Sequence, residues 1–145
     1  MIATGFGSGY TPLAPGTAGT VVAVPVYLMI SPLPWPLYLL TVAAFTALAV
    51  WASQEGEKLF HEKDAQRIVI DEIAGFLWAT FLVAPTVLRV AAAFVLFRLF
   101  DIVKPFPAGW CQRRRPGGWG VVGDDCAAGM YGSAALWLLI GAGLI

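Results

Sequence analysis

Hydrophobic and polar positions divide the chain into long apolar runs separated by short polar segments. The apolar runs predict five helices, near residues 19–33, 35–52, 72–85, 88–103 and 125–145. The second and last runs approach the ~20 residues that span a bilayer, whereas the third and fourth are short and would tilt or enter only part way. We therefore expect an all-α fold, a small polytopic membrane bundle with about four to five membrane helices, formed by residues 1–145 as a single domain.

The polar segment at the start of the chain, residues 2–20, is rich in Gly, Ser, Thr and Pro, which disfavours regular structure. One interpretation is a flexible tail. The other is a loop whose backbone N–H groups and hydroxyls hold an oxyanion, with Ser8, Thr17 and Thr20 as candidate substrate-binding residues. The loop lacks the Gly-Lys-Ser/Thr of a Walker A motif. It also lacks the basic and apolar regions of a signal peptide, so we expect no cleaved leader.

The stretch FRLFDIVKPFP, residues 97–107, places three charged residues at the end of an apolar run. Arg98, Asp101 and Lys104 recur every three residues, which puts them on about the same face of a helix. The two prolines that follow predict the end of that helix. Snorkelling of helix-end side chains to a membrane surface is one interpretation. A polar site is the other, and an acid between two bases favours it.

Two further acidic pairs stand at the start of apolar runs: Asp71 with Glu72, and Asp124 with Asp125. If the five helices alternate in direction, both pairs, Asp101 and the Gly-rich first segment lie at one surface. Eight of the nine Lys and Arg residues, all except Arg89, lie on or near that side as well. The positive-inside rule makes it cytoplasmic, so we expect a multi-pass protein of the cytoplasmic (inner) membrane whose polar site faces the cytoplasm.

Composition supports a membrane protein and narrows the chemistry. With 59% hydrophobic residues, a mean hydropathy of +0.75 and no formal net charge, the chain is too apolar for an ordinary soluble domain and has no field that attracts nucleic acid. The single histidine, His61, lies among charged neighbours and gives little reason to expect zinc or histidine catalysis. Carboxylates without histidine or cysteine partners favour Mg²⁺, which takes oxygen ligands.

Basic residues beside those carboxylates indicate a phosphate ligand, because Arg forms a bidentate fork with phosphate oxygens and Lys acts as a point charge. The residues thus predict a metal-dependent phosphoryl-transfer or hydrolase site at a membrane surface. A different class also fits: a non-catalytic membrane transport or binding component that coordinates a cation and an anionic ligand. The sequence predicts no oligomeric state.

Four motifs together resemble one known family. GSGYTPLAPGTAGT, IVIDEIAG, FRLFDIVKPFP and GVVGDDCAAG occur in the order and approximate spacing of the phosphatidylglycerophosphatase A family. The resemblance covers nearly the whole chain. It implies Mg²⁺-dependent removal of the terminal phosphate of phosphatidylglycerophosphate, an anionic phospholipid, to give phosphatidylglycerol. One departure is Asp64-Ala65, where family members often have Asp-Pro.

Carried over to this chain, the resemblance implies an acidic set and two phosphate partners, Arg98 and Lys104. The candidate metal ligands are Asp71, Glu72, Asp101, Asp124 and Asp125, and the candidate catalytic residues are Asp101, Asp71 and Asp125. The sequence leaves open whether Asp101 binds metal, orients the attacking water or attacks phosphorus itself through an aspartyl-phosphate intermediate.

Overall fold

The computed structural model describes residues 1–62, 65–106 and 117–145, which form helices, turns and loops with no strand among them. The described helices are a 3₁₀ helix at Gly5–Tyr10, α1 at Pro15–Ile30, α2 at Trp35–Phe60, α3 at Ile70–Ala79, α4 at Val87–Val103 and α5 at Gly118–Gly141. The prediction of an all-α fold is confirmed for this part of the chain.

The short helix α3 is the centre of the bundle and contacts α1, α2, α4 and α5. Eight of its ten residues are buried. A helix of ten residues is about 15 Å long, roughly half the thickness of a bilayer's hydrocarbon core. The sequence pattern predicted a helix at 72–85, whereas α3 begins two residues earlier and ends at Ala79. The central helix is therefore inserted among longer helices and does not span on its own.

Aromatic side chains hold the outer helices against α3. The Phe76 ring of α3 meets Tyr27 of α1 and Phe97 of α4 edge-on, with ring centroids 6.3 Å apart in each pair. The buried Tyr27 hydroxyl donates a 2.6 Å hydrogen bond to the Val83 carbonyl, so the polar end of this core residue is satisfied. These contacts fix the position of α3 against α1 and α4.

Glycines allow α3 and α5 to approach more closely than other residues would. A Cβ atom added to Gly129 of α5 would lie 2.1 Å from the carbonyl oxygen of Gly75 in α3. A Cβ added to Gly75 would lie 2.7 Å from the carbonyl oxygen of Asp125 in α5. Gly129 and Gly75 thus permit the close packing of α3 against α5.

We expect Gly129→Ala to destabilise the protein by about 1–3 kcal/mol, the usual cost of overpacking a tight contact. The backbone carbonyl of Gly75 cannot yield as a flexible side chain can, so α3 and α5 must separate. A melting curve of the purified protein in detergent measures the change. Gly141→Ala, in the same helix with no atom within 4 Å of the added Cβ, is the matched control. Equal melting temperatures for the two variants would contradict the prediction.

The first residues of the chain are packed, so the flexible-tail interpretation is wrong. The Ala3 carbonyl accepts hydrogen bonds from the N–H groups of Val69 (2.9 Å) and Ile70 (3.3 Å), where α3 begins. Gly9 lies against the Arg67 backbone, because its Cβ would be 2.1 Å from the Arg67 carbonyl oxygen. The expectation that residues 2–20 lack regular structure is also wrong, because Gly5–Tyr10 form a 3₁₀ helix and α1 begins at Pro15.

Two helices are longer than the apolar runs predicted. Helix α2 continues from the predicted end at residue 52 to Phe60, with Ser53 and Gly56 on its buried face. Helix α5 begins at Gly118, seven residues before the predicted start, so Asp124 and Asp125 lie nearly two turns inside it. Helix α4 matches its predicted range closely and ends where Lys104 adopts a left-handed conformation, φ 46°.

Among the helices of the described residues, only α2 has the length and apolar character of a membrane-crossing helix; α1 is apolar but shorter. Four to five membrane helices therefore remain a prediction. The basic run Arg113–Arg115, which contributes to the expected cytoplasmic orientation, lies outside the described residues, as does Pro107.

Candidate active site

A cavity of about 440 Å³ lies where the beginning of α1, the beginning of α3, the end of α4 and the middle of α5 meet. All seven charged residues predicted for the site line it: Asp71, Glu72, Arg98, Asp101, Lys104, Asp124 and Asp125. Residues up to 54 positions apart in sequence therefore converge, as the alternating topology predicted.

Three carboxylates form a compact cluster in the cavity. Asp71 and Glu72 stand in the first turn of α3, where the helix dipole favours acidic residues, and Asp125 reaches them from α5. One oxygen from each lies within 4.8 Å of the others. Asp71 and Asp125 are only 5% and 4% exposed. These three residues could hold a metal ion.

The cluster contains buried oxygen atoms that lack donors. Glu72 Oε2 and Asp125 Oδ2 are inaccessible and accept no hydrogen bond within the described part of the protein. Burial, together with the nearby carboxylates of Asp125 and Asp101, raises the pKa of Glu72 to about 8, although its hydrogen bond with Asp71 acts in the opposite direction. Three crowded, buried carboxylates disfavour one another's charged forms, so a bound divalent cation, whose preferred ligands are such oxygens, would stabilise the ionised cluster.

The two basic residues of the cavity form ion pairs with the remaining acids. Arg98 Nη1 lies 2.7 Å from Asp101 Oδ2, one turn away on α4. Lys104 donates to Asp124 Oδ2 of α5 and so joins the two helices. Burial alone lowers the pKa of Lys104, but the hydrogen bond and charge of Asp124, with Asp125 and Asp101, raise it above its usual value. Lys104 is therefore a cation in the cavity.

These ion pairs divide the predicted acidic set into two groups. Asp71, Glu72 and Asp125 form the compact cluster, whereas Asp101 and Asp124 hold the basic residues. The sequence predicted all five acids as metal ligands and did not distinguish the groups. Metal binding by Asp101 and Asp124 stays a prediction.

The beginning of α1 also lines the cavity, through Ala14, Pro15 and Gly16. The first N–H groups of a helix have no partner within it and attract anions, and Pro15 carries no N–H. Gly16 lies very close to the charged residues: its Cβ would be 2.3 Å from Glu72 Oε1 and 3.1 Å from Arg98 Nη1. The sequence analysis did not single out Gly16, although proline, here Pro15, is typical of the first position of a helix.

The predicted hydroxyl ligands do not line the cavity. The Ser8 hydroxyl donates to the Gly5 carbonyl at 2.9 Å, and the Thr20 hydroxyl donates to the Gly16 carbonyl at 2.9 Å. Thr20 is fully buried, and Thr17 is not among the cavity residues. The first segment thus contributes to the cavity through the backbone at the start of α1 rather than through these side chains.

Comparison with known proteins decides the family. The family model for Phosphatidylglycerophosphatase A matches residues 1–140. The chain belongs to this family. It is 38% identical to Phosphatidylglycerophosphatase A of Escherichia coli, over 96% of this chain and 81% of the relative. The predicted family membership is confirmed.

Two other relatives of this phosphatidylglycerophosphatase A family member have names that point to different lipid substrates. The chain is 34% identical to Phosphatidylglycerophosphatase A of Haemophilus influenzae, over 90% of this chain and 82% of the relative. It is 40% identical to a Bacteroides thetaiotaomicron protein provisionally assigned as a phosphatidylinositol-3-phosphatase, over 96% of this chain and 94% of the relative. No solved structure matches the chain significantly.

Proposed function

We propose that this protein is a Mg²⁺-dependent lipid phosphatase that hydrolyses phosphatidylglycerophosphate to phosphatidylglycerol and inorganic phosphate in phospholipid biosynthesis. Family membership supports the reaction class. The observation that carries the proposal is one cavity that combines a three-carboxylate cluster with Arg98 and Lys104, which suits a phosphate monoester and its metal ion.

Asp71, Glu72 and Asp125 are the residues that would hold Mg²⁺. When bound, Mg²⁺ supplies positive charge that stabilises the transferring phosphoryl group. Arg98 and Lys104 bind and orient the phosphate oxygens, and the N–H groups at the beginning of α1 add a weaker attraction for the same anion.

Phosphate binding changes the surroundings of Asp101. Its carboxylate lies 2.7 Å from Arg98, so phosphate oxygens that bind Arg98 compete with it. In one route Asp101 accepts a proton from the attacking water as the water oxygen bonds to phosphorus and the bond from phosphorus to the glycerol oxygen breaks, and it then returns that proton to the leaving glycerol oxygen. In the other route an Asp101 carboxylate oxygen itself bonds to phosphorus as the same ester bond breaks, the leaving glycerol oxygen takes a proton from water, and a second water hydrolyses the aspartyl-phosphate to release phosphate. Acid quenching of turnover with phosphorus-labelled lipid distinguishes the two routes, because only the second leaves label on the protein.

We further propose that the protein is a multi-pass protein of the cytoplasmic membrane with the cavity at the cytoplasmic face. Large apolar side chains are exposed along several helices, as in Met29 of α1, Leu40 of α2, Val95 of α4 and Leu138 of α5. Of the Lys and Arg residues that the structure describes, all except Arg89 lie at or near the end of the bundle where the cavity lies, which fits the positive-inside rule.

Phosphate release from defined lipids by the purified protein in detergent tests the proposal. We expect Mg²⁺-dependent release from phosphatidylglycerophosphate. Phosphatidylinositol 3-phosphate is the necessary comparison, because the Bacteroides relative carries that assignment. Preference for the inositol lipid would overturn the proposed substrate. Lipid binding without phosphate release from either lipid would instead favour the non-catalytic membrane component.

We expect Gly16→Ala to lower kcat/KM for phosphate release by about tenfold, comparable to losses from misplaced groups near a metal site. The added Cβ would displace the Glu72 carboxylate, since it would lie 2.3 Å from Oε1. Glu72 can move because its side chain is flexible, so the melting temperature should change little. Gly141→Ala, with open space around its Cβ, is the control. Unchanged activity in Gly16→Ala would contradict the placement of α1 against the site.

A further inference from the structure

A second cavity of about 600 Å³ forms an apolar groove between α1 and α4. No charged side chain lines it among the described residues. Helix α1 contributes Val24 and Leu28, and α4 contributes Val87, Val90, Ala91, Phe94 and Val95. Val87 and Val95 are 90% and 64% exposed, so the groove is open along one side. Water is a poor occupant of such a surface.

Residues of the groove and residues of the active-site cavity lie along one face of α4. Groove residues and cavity residues on this helix follow one another at three- and four-residue steps, from Val87 through Ala91 and Phe94 to Arg98 and Asp101. Phe94 is one turn from Arg98. Helix α1 also lines both: Gly16 lies in the cavity, and Val24 and Leu28 lie in the groove. A single elongated ligand could therefore occupy both.

The dimensions of the groove suit one leaflet of a bilayer. At 1.5 Å per residue, Ala91 lies about 10 Å and Val87 about 16 Å along the helix from Arg98. Half of the bilayer's hydrocarbon core is roughly 15 Å thick. A phosphate in the cavity and an apolar chain of this length in the groove are the two ends of a phospholipid.

We propose that the groove between α1 and α4 binds an acyl chain of the lipid substrate while the phosphate occupies the active-site cavity. The inference rests on the proposed function and adds the route by which substrate enters, sideways from the bilayer between α1 and α4. The sparse packing between these two helices leaves that route open. A hydrocarbon chain fits a groove whose lining is apolar except for Thr86 better than a charged headgroup does.

Filling the groove tests the proposal. Ala91 is exposed and lies in mid-groove, so Ala91→Trp would block passage of a long chain. We measure kcat/KM in detergent for a phosphatidylglycerophosphate with long acyl chains and for a short-chain analogue whose acyl groups are acetyl, which has almost no hydrocarbon to place in the groove. We expect the long-chain to short-chain ratio to fall by about tenfold, a typical specificity change when an apolar pocket is altered. Ala47→Trp, at an exposed position of α2, is the matched control and should leave the ratio unchanged.

A photoreactive group midway along the acyl chain gives a second readout that needs no turnover. In the unsubstituted protein it should label the α4 segment 87–95, and labelling should fall in Ala91→Trp.

Three outcomes would each overturn the proposal. They are an equal loss of activity on both lipids in Ala91→Trp, the same ratio change in Ala47→Trp, and labelling confined to other helices. A concentration-dependent dimer lost in Ala91→Trp, with an unchanged ratio, would assign the groove to a second copy. If the unsubstituted protein releases phosphate from neither lipid, the proposed function is refuted instead. Photolabelling would still show whether an acyl chain binds in the groove.

Discussion

Asp125→Asn is expected to lower kcat/KM for phosphate release by roughly a thousandfold, at the upper end of what one preorganised electrostatic group contributes. The substitution keeps the shape of the side chain and removes its charge. Asp125 is 4% exposed, and its carboxylate lies with those of Asp71 and Glu72 in a cluster spanning less than 4.8 Å. Losing one of three ligands should weaken cation binding and leave the phosphate poorly neutralised. Phosphate release under saturating Mg²⁺ measures the effect.

The melting temperature of Asp125→Asn shows whether a loss of activity results from a lost ligand or from a disrupted fold. Without divalent cation, Asp125→Asn should melt at the same temperature as the unsubstituted protein or above it, because a neutral amide replaces one of three crowded, buried carboxyl groups. Glu55→Gln is the control: its exposed ion pair with Lys58 lies outside the cavity and should matter little to activity or stability. Near-normal activity in Asp125→Asn, or a large fall in its melting temperature, would contradict its assignment to the metal site.

The sequence predicted the bounds of α4 well and the start of α5 poorly, and the residues at these helix ends explain the difference. The apolar run of α4 stops at charged residues and prolines, so its end is encoded locally. The start of α5, GWGVVG, contains three glycines, which usually weaken a helix. Here Gly118 lies against α2, because its Cβ would be 2.0 Å from the Val50 carbonyl oxygen. That tertiary contact requires glycine and cannot be recognised from the local pattern.

In the candidate site, too, local sequence signals could be predicted and tertiary contacts could not. Charged residues at helix ends on one side of a predicted bundle were expected to converge, and all seven line one cavity. Which acids cluster and which pair with bases depends on the rotation of α4 and α5 about their axes. Spacing along each helix does not fix that rotation between helices, so the pairing of Lys104 with Asp124 could not be predicted. The close approach of Gly16 to Glu72 could not be predicted either, because it depends on how α1 packs against α3.

Removing divalent cations is expected to abolish phosphate release, and added Mg²⁺ should restore it. The physical reason is the concentration of negative charge in the cavity. Asp71, Glu72 and Asp125 are gathered within 4.8 Å, and the buried Glu72 Oε2 and Asp125 Oδ2 lack hydrogen-bond donors in the described residues. Arg98 and Lys104 already face Asp101 and Asp124, so they cannot neutralise both this cluster and an incoming phosphate. Phosphate release before and after EDTA treatment, then with Mg²⁺ added, measures the requirement.

A melting curve shows whether the ion acts on the protein or only on the lipid phosphate. A ligand that binds only the folded state stabilises it by about 2.7 kcal/mol at a hundred times its Kd, so Mg²⁺ should raise the melting temperature without substrate present. The rise should be much smaller in Asp125→Asn, which lacks one carboxylate of the cluster, and undiminished in Glu55→Gln, whose carboxylate lies at the surface. Equal rises in all three proteins would place the ion elsewhere, and full activity after EDTA treatment would show that the carboxylate cluster needs no divalent cation.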